Sequence, residues 1–168
     1  LNPAEDGWET ETFSENVASQ LNLLAAELKK IEGLNELSDK VNSSLGDLVT
    51  SDFRSGMLRP QVNEVLKSEG LRVNRFDGSI PPMAGAKGEV NRGQDGFVFA
   101  LEQLLKEGGL GAVTHAKFKV SHVEVTDERV STRVLVQLDG PSVSPSGITQ
   151  VNTTWNCFWS NNDSDQPL

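Results

Sequence analysis

The stretch "ITQVNTTWNCFWSNN", residues 148 to 162, decides how the rest of the chain is read. It alternates with a period of two, as a half-buried strand does. Thr149, Val151, Thr153, Trp155, Cys157 and Trp159 fall on one side. Gln150, Asn152, Thr154, Asn156 and Phe158 fall on the other. A strand with two indoles on one face and a row of amides on the other has a core beneath it and water, or a second protein, above it.

Working back from this strand, the last third is all extended. "VSTRVLVQL" sets Thr132, Val134, Val136 and Leu138 against Arg133, Leu135 and Gln137. In "HAKFKVSHVEV", Ala116, Phe118 and Val120 share one parity, and Val123 and Val125 the other. A slip of one residue near Ser121 and His122 is the mark of a β-bulge. "TDER" reads as a turn, and "DGPSVSPSG" as the connection into the last strand.

The first part has a different period. Phe13, Val17, Leu21, Leu24, Leu28 and Ile31 recur at steps of three and four, one stripe of an amphipathic helix. Thr12 and Glu15 fit a capping box, Lys29 and Lys30 suit its last turn, and Gly33 suits its stop. Residues 1–11, "LNPAEDGWETE", read as an acidic tail or linker, and residues 12–168 as a single domain. Leu37, Val41, Leu45, Leu48 and Val49 predict a second helix. "SDFRSGMLRP" predicts a turning or extended piece, "QVNEVLKSEG" a short helix with Val62, Val65 and Leu66 inward, and "LRVNRFDGS" a strand. Residues 80–96 predict a loop. Phe97, Leu101, Leu104 and Leu105 predict a third helix capped by Asp95 and ended by "EGGLG".

Helices first and an antiparallel meander after make an α+β protein, with helices on one face of a bent sheet. The chain has 168 residues, 36% hydrophobic and 23% charged, in the range of a globular domain. Its net charge of −9 argues against nucleic acid, whose phosphates need clustered Lys and Arg. No apolar run reaches the roughly 20 residues of a membrane span, so no membrane insertion is expected. No basic-then-apolar leader opens the sequence.

Few residues offer chemistry. Cys157 is the single cysteine, with no cationic neighbour in sequence to activate it, and reads as a small core residue. Two histidines without metal-ligand spacing point to no metal, and "GAKGEVNRGQDG" lacks the lysine pattern of a phosphate loop, so no cofactor is expected. His122 stands at the expected bulge, where a side chain can be turned towards a pocket; this makes it the better candidate base. Asp52 precedes Phe53 near Arg54 and Arg59. The structural reading of both is simpler: a surface histidine, and an Asp ending a helix. Trp155 and Trp159, with Phe53, Phe118, Val134 and Val136, are candidates for lining a pocket that takes a small apolar ligand. The simpler reading of the two tryptophans is core packing, since each indole can bury on the order of 200 Å².

The element order resembles the nuclear transport factor 2-like (SnoaL-like) superfamily. The residues that carry the likeness are the long first helix, "LVTSDF", a short extended pair, "GFVFALEQLL" and the meander ending in "TTWNCFW". The resemblance implies a curved antiparallel sheet wrapped around the N-terminal helix, an α-β cone. "VTSDFRSGMLRP", "THAKFKVSHVEV", "STRVLVQLDG" and "QVNTTWNCFWS" are also similar to an N-terminal region of large bacterial proteins with FG-GAP (VCBS) repeats and an ASPIC/UnbV domain. That likeness implies an extracytoplasmic setting. The superfamily normally carries one more strand, which Leu168 would begin unless this sheet is shorter. Steroid isomerase-like members use tyrosine, which this sequence lacks, and dehydratase-like members use His with Asp. The expectation is therefore a non-catalytic interaction or ligand-binding module that meets a protein partner, or pairs as a homodimer, through the outer sheet face. The alternative is a SnoaL-like small-molecule enzyme with His122 or Asp52 as base.

Overall fold

The computed structural model describes residues 9–31, 33, 42–56, 58, 62–76, 91–125, 130–143 and 147–159. Three helices and seven strands are found among them. The strands form two antiparallel pairs and one antiparallel sheet of three.

Helix α1, Glu9–Leu28, begins one turn earlier than the capping box implied. Thr12 lies inside the helix and is not its cap. The acidic run continues into the first turn, where Glu11 suits the positive end of the helix dipole. Val17, Leu21, Leu24 and Leu28 are buried, as their spacing requires, and Ile31 follows them into the core. The end tightens into three-residue steps: Lys30 N–H donates to the Glu27 carbonyl at 3.0 Å, and Ile31 N–H to that of Leu28 at 3.2 Å. Lys30 also pairs with the Glu27 carboxylate, which accepts a bond from Ser44 Oγ at 3.1 Å. The Lys30 bond is the main reason this carboxyl sits below its usual range.

Helix α2 is short, Asn42–Gly46, with Leu45 fully buried and Leu48 and Val49 packed against the core in the turns that follow. Leu37 and Val41 lie outside the described residues, as do Trp8 and the "TDER" turn. Strand β1, Arg54–Ser55, comes next, and its antiparallel partner is not adjacent in sequence: it is β4, Asn91–Arg92. Between them stand β2, Val62–Ser68, and β3, Leu71–Phe76, joined as a hairpin.

This hairpin corrects the short helix expected over residues 61–70. Val65 and Leu66 are about half exposed and face no core. Pairing with the alternating 71–76 segment outweighs the helical spacing of three valine and leucine positions. Glu64 bonds Arg72 across the strands at 3.2 Å. The hairpin packs against no other described element.

Helix α3, Gly93–Gly108, also starts earlier than expected. Arg92, in extended conformation, occupies the cap position, and Asp95 falls in the first turn instead of capping it. The helix closes on Gly109, whose φ of 73° is left-handed, with its N–H turned back to Leu105 and Lys106. Its buried stripe, Phe97, Val98, Leu101, Leu104 and Leu105, joins the α1 stripe in one hydrophobic core.

The sheet has the order β5 (His115–Val125), β6 (Val130–Pro141), β7 (Ile148–Trp159). The register slips between Val120 and His122, where the sequence places the bulge. Ser121 is the extra residue, and its Oγ donates to the Arg133 carbonyl at 3.0 Å. Past it, Val123 and Val125 lie opposite Thr132 and Val130, on the face that carries Val120 and Val134. The bulge thus keeps five apolar residues of one strand on one side despite the change of parity. Helix α1 packs on β5, and β6 contributes Val130, Thr132, Val134, Val136 and Leu138 to the buried face. At the far end Gly140 lets the 111–114 segment lie flat on β6. A Cβ there would stand 2.0 Å from the Ala112 carbonyl oxygen.

Candidate functional site

The two faces of the sheet have different chemistry. On the inner face Phe118 and Trp155 pack with ring centres 5.6 Å apart and their planes tilted by 53°, and Trp155 lies opposite Val134. Trp159 meets Phe13 of α1 edge to face at 6.2 Å. Its indole N–H donates to Thr132 Oγ1 at 2.9 Å. Thr132 is the one buried polar residue among those described, so the indole supplies the bond its hydroxyl needs. Phe53 does not join this group. It packs edge to face on Phe97 of α3, 5.0 Å away. The six residues expected to line a pocket therefore occupy two parts of one continuous core, five on the inner sheet face and one against α3.

Cys157 belongs to the same inner layer, opposite Thr132. Burial pushes its thiol up to about 11, against a smaller pull the other way from the Thr132 hydrogen bond. The fold therefore holds the neutral thiol. The unfolded chain ionises it near 9, so stability is intact below pH 9 and declines as pH climbs through 11. The full loss is about 3 kcal/mol, from two pKa units at about 1.4 kcal/mol each. A thiol-specific chromogenic reagent at pH 8 should label Cys157 at least about 100-fold more slowly in the native protein than in urea. Equal rates would show an open thiol and contradict the inner placement.

The two candidate bases are elsewhere. His122 lies opposite Arg133, exposed, on the outer face. The bulge residue is Ser121, and the slip returns His122 to the side away from the core. His115 is exposed at the start of the same strand, opposite Asp139 and well away from His122. Asp52 is exposed in the turn before β1, where Thr50 Oγ1 donates to its carboxylate. That bond, with help from its own backbone and from Arg54, lowers its pKa. A general base working near neutral pH needs a shift in the opposite direction. Among the described residues no three His, Cys, Asp or Glu side chains gather as a metal site would require.

The outer face has a feature the sequence reading passed over. Its cross-strand rows run Lys117–Gln137–Asn152 and Lys119–Leu135–Thr154, with His122–Arg133–Asn156 beyond them. The first two rows line a depression of about 410 Å³. Gln137 Nε2 donates to Asp139 Oδ2 at 2.9 Å, so one carboxylate stands at the edge of a depression lined by two lysines. Leu135, 44% exposed, is the apolar centre. The amide row of β7 and Arg133 and Gln137 of β6 were legible from parity alone. Lys117 and Lys119 are equally legible, since they alternate with Phe118.

Two lysines, three amides or hydroxyls and one exposed leucine can bind a carboxylate-bearing surface through charge-assisted bonds. They do not assemble a nucleophile, base and oxyanion site. The chain matches no protein-family model, no curated protein and no solved structure. Among the described residues no helix is long and apolar enough to cross a membrane.

Proposed function

We propose that this chain is a non-catalytic interaction module that docks an acidic segment of a protein partner on the outer face of its β5-β6-β7 sheet. The carrying observation is the depression between Lys117, Lys119, Gln137, Asn152 and Thr154, a cationic patch on a protein whose net charge is −9. Complementary charge brings such a partner in quickly, and the amides supply the wet, hydrogen-bonded contacts of a polar interface. A homodimer through the same face sets each pair of lysines towards its own copy, so the acidic partner is the better match.

The same reading places the module at the start of a larger extracytoplasmic bacterial repeat protein and gives it the cone of the nuclear transport factor 2-like superfamily. Its support is the element order: a long helix, a short one, the β1–β4 pair, α3 and a three-stranded meander.

The test is binding of fluorescein-labelled polyglutamate, followed by anisotropy at 20 and 200 mM salt. The wild-type chain should bind at low salt and lose affinity at high salt. The double variant Lys117→Glu/Lys119→Glu should bind at least about tenfold more weakly, whereas Lys29→Glu/Lys30→Glu should bind as wild type does. Equal loss in both variants, or no binding by the wild type, would remove the assignment.

A further inference from the structure

The cross-strand rows of the outer face carry charge in a fixed order. Asp139 stands in the first row, Lys117 in the second, Lys119 in the third, Arg133 in the fourth and Glu124 in the fifth. Along β6 the rows step by two residues, about 6.8 Å each time, so the cations span two steps, about 14 Å. Lys117, Lys119 and Arg133 are exposed, and none of them is in an ion pair among the described residues. The cationic run is therefore closed by a carboxylate at each end. The bond from Gln137 at 2.9 Å holds the Asp139 carboxylate towards the lysine rows.

We propose that the acidic segment docked here is extended and carries three carboxylates at alternate positions, with no acid at the next alternate position on either side. This rests on the docking of an acidic partner described above and specifies which acidic segment the face takes. Side chains on one side of an extended chain recur every two residues, about 6.8 Å, which is the step of the rows. Three carboxylates at that step meet Lys117, Lys119 and Arg133. The guanidinium fork of Arg133 suits its carboxylate bidentately. A fourth carboxylate in the series comes up against Asp139 or Glu124, and like charges there repel. The conformation follows from the neutral residues of the same rows. An extended segment brings backbone N–H and C=O groups that need partners, and the exposed Asn152, Thr154 and Asn156 offer both donors and acceptors. A helix bonds those groups internally and presents an apolar stripe instead, for which the three cationic rows supply Leu135 alone.

The experiment compares fluorescein-labelled Gly/Ser peptides by anisotropy at 20 mM salt. One carries three glutamates at alternate positions, its isomer carries the three contiguously, and a longer peptide carries five at alternate positions. The alternating peptide should bind at least about fivefold more tightly than its isomer, which can turn only two carboxylates to one side. The five-glutamate peptide should bind no more tightly than the three-glutamate one, despite its greater charge. Arg133→Gln should abolish the preference between the isomers, and Asp139→Asn/Glu124→Gln should strengthen binding of the five-glutamate peptide more than that of the shorter one. Near-ultraviolet circular dichroism should stay unchanged in both variants. Equal affinity for the two isomers, with binding still lost in Lys117→Glu/Lys119→Glu, overturns this inference and leaves the docking of an acidic partner standing. So does a five-glutamate peptide that binds at least about fivefold more tightly than the three-glutamate one. Binding of none of the three peptides overturns both.

Discussion

Val134→Asp should cost the fold at least about 4 kcal/mol, and Leu135→Asp, one residue further on, no more than about 1 kcal/mol. Val134 is fully buried on β6, between Val120 and Trp155 of the neighbouring strands. A carboxylate there has Val120 on one side and on the other Trp155, whose buried indole N–H is the one donor in view, and must either stay charged at high cost or take up a proton. Leu135 is 44% exposed, and its substituent reaches water beside Lys119 and Thr154. Urea denaturation of the two variants gives both numbers. Similar losses would mean that the faces of the sheet have been assigned the wrong way round, and every role drawn from the inner and outer rows would go with them.

Trp159→Ala has the second largest expected effect, a loss of about 3 kcal/mol. Three contributions act together. The indole leaves a gap against Phe13, its hydrogen bond to Thr132 is lost, and the Thr132 hydroxyl remains buried with less to bond. Trp159→Phe separates them. It keeps an aromatic ring against Phe13 but loses the N–H together with the five-membered ring, so it should cost about 1–2 kcal/mol. If the two substitutions cost the same, packing against α1 contributes little.

Much of this was legible because the residues concerned obey a single period. The stripe from Phe13 to Ile31 and the inward rows of β6 and β7 need only spacing to be placed. The bulge showed itself as a change of parity within β5. The failures have an equally local cause. Val62, Val65 and Leu66 fit a helical stripe as well as a strand, and only the pairing with residues 71–76 decides between them; no spacing within ten residues contains that information. Both α1 and α3 start before the side chains expected to cap them, and α3 does so from an extended Arg92 that makes no side-chain cap bond. The partnership of β1 with β4, 37 residues away in sequence, is a tertiary fact without a local mark.

The candidate site was legible in part for the same reason. Parity put Gln150, Asn152, Thr154 and Asn156 on the outer face. Which residues of β5 stand opposite them depends on the register across β6, and it is the register that brings Lys117 and Lys119 to the amides. His122 has two readings in the sequence because a bulge permits either outcome, and it lies on the surface. The register shows that Ser121, not His122, is the residue that absorbs the slip.

The central claim is that the first helix and the last strand close on one core, so that the opposite face of the sheet remains for a partner. Its most direct test is a double-mutant cycle between Phe13 on α1 and Trp159 on β7, using Phe13→Ala, Trp159→Ala and the pair. A coupling of about 1 kcal/mol is expected from their edge-to-face contact. Strict additivity, within about 0.3 kcal/mol, would mean that helix and strand do not meet, and would contradict the account.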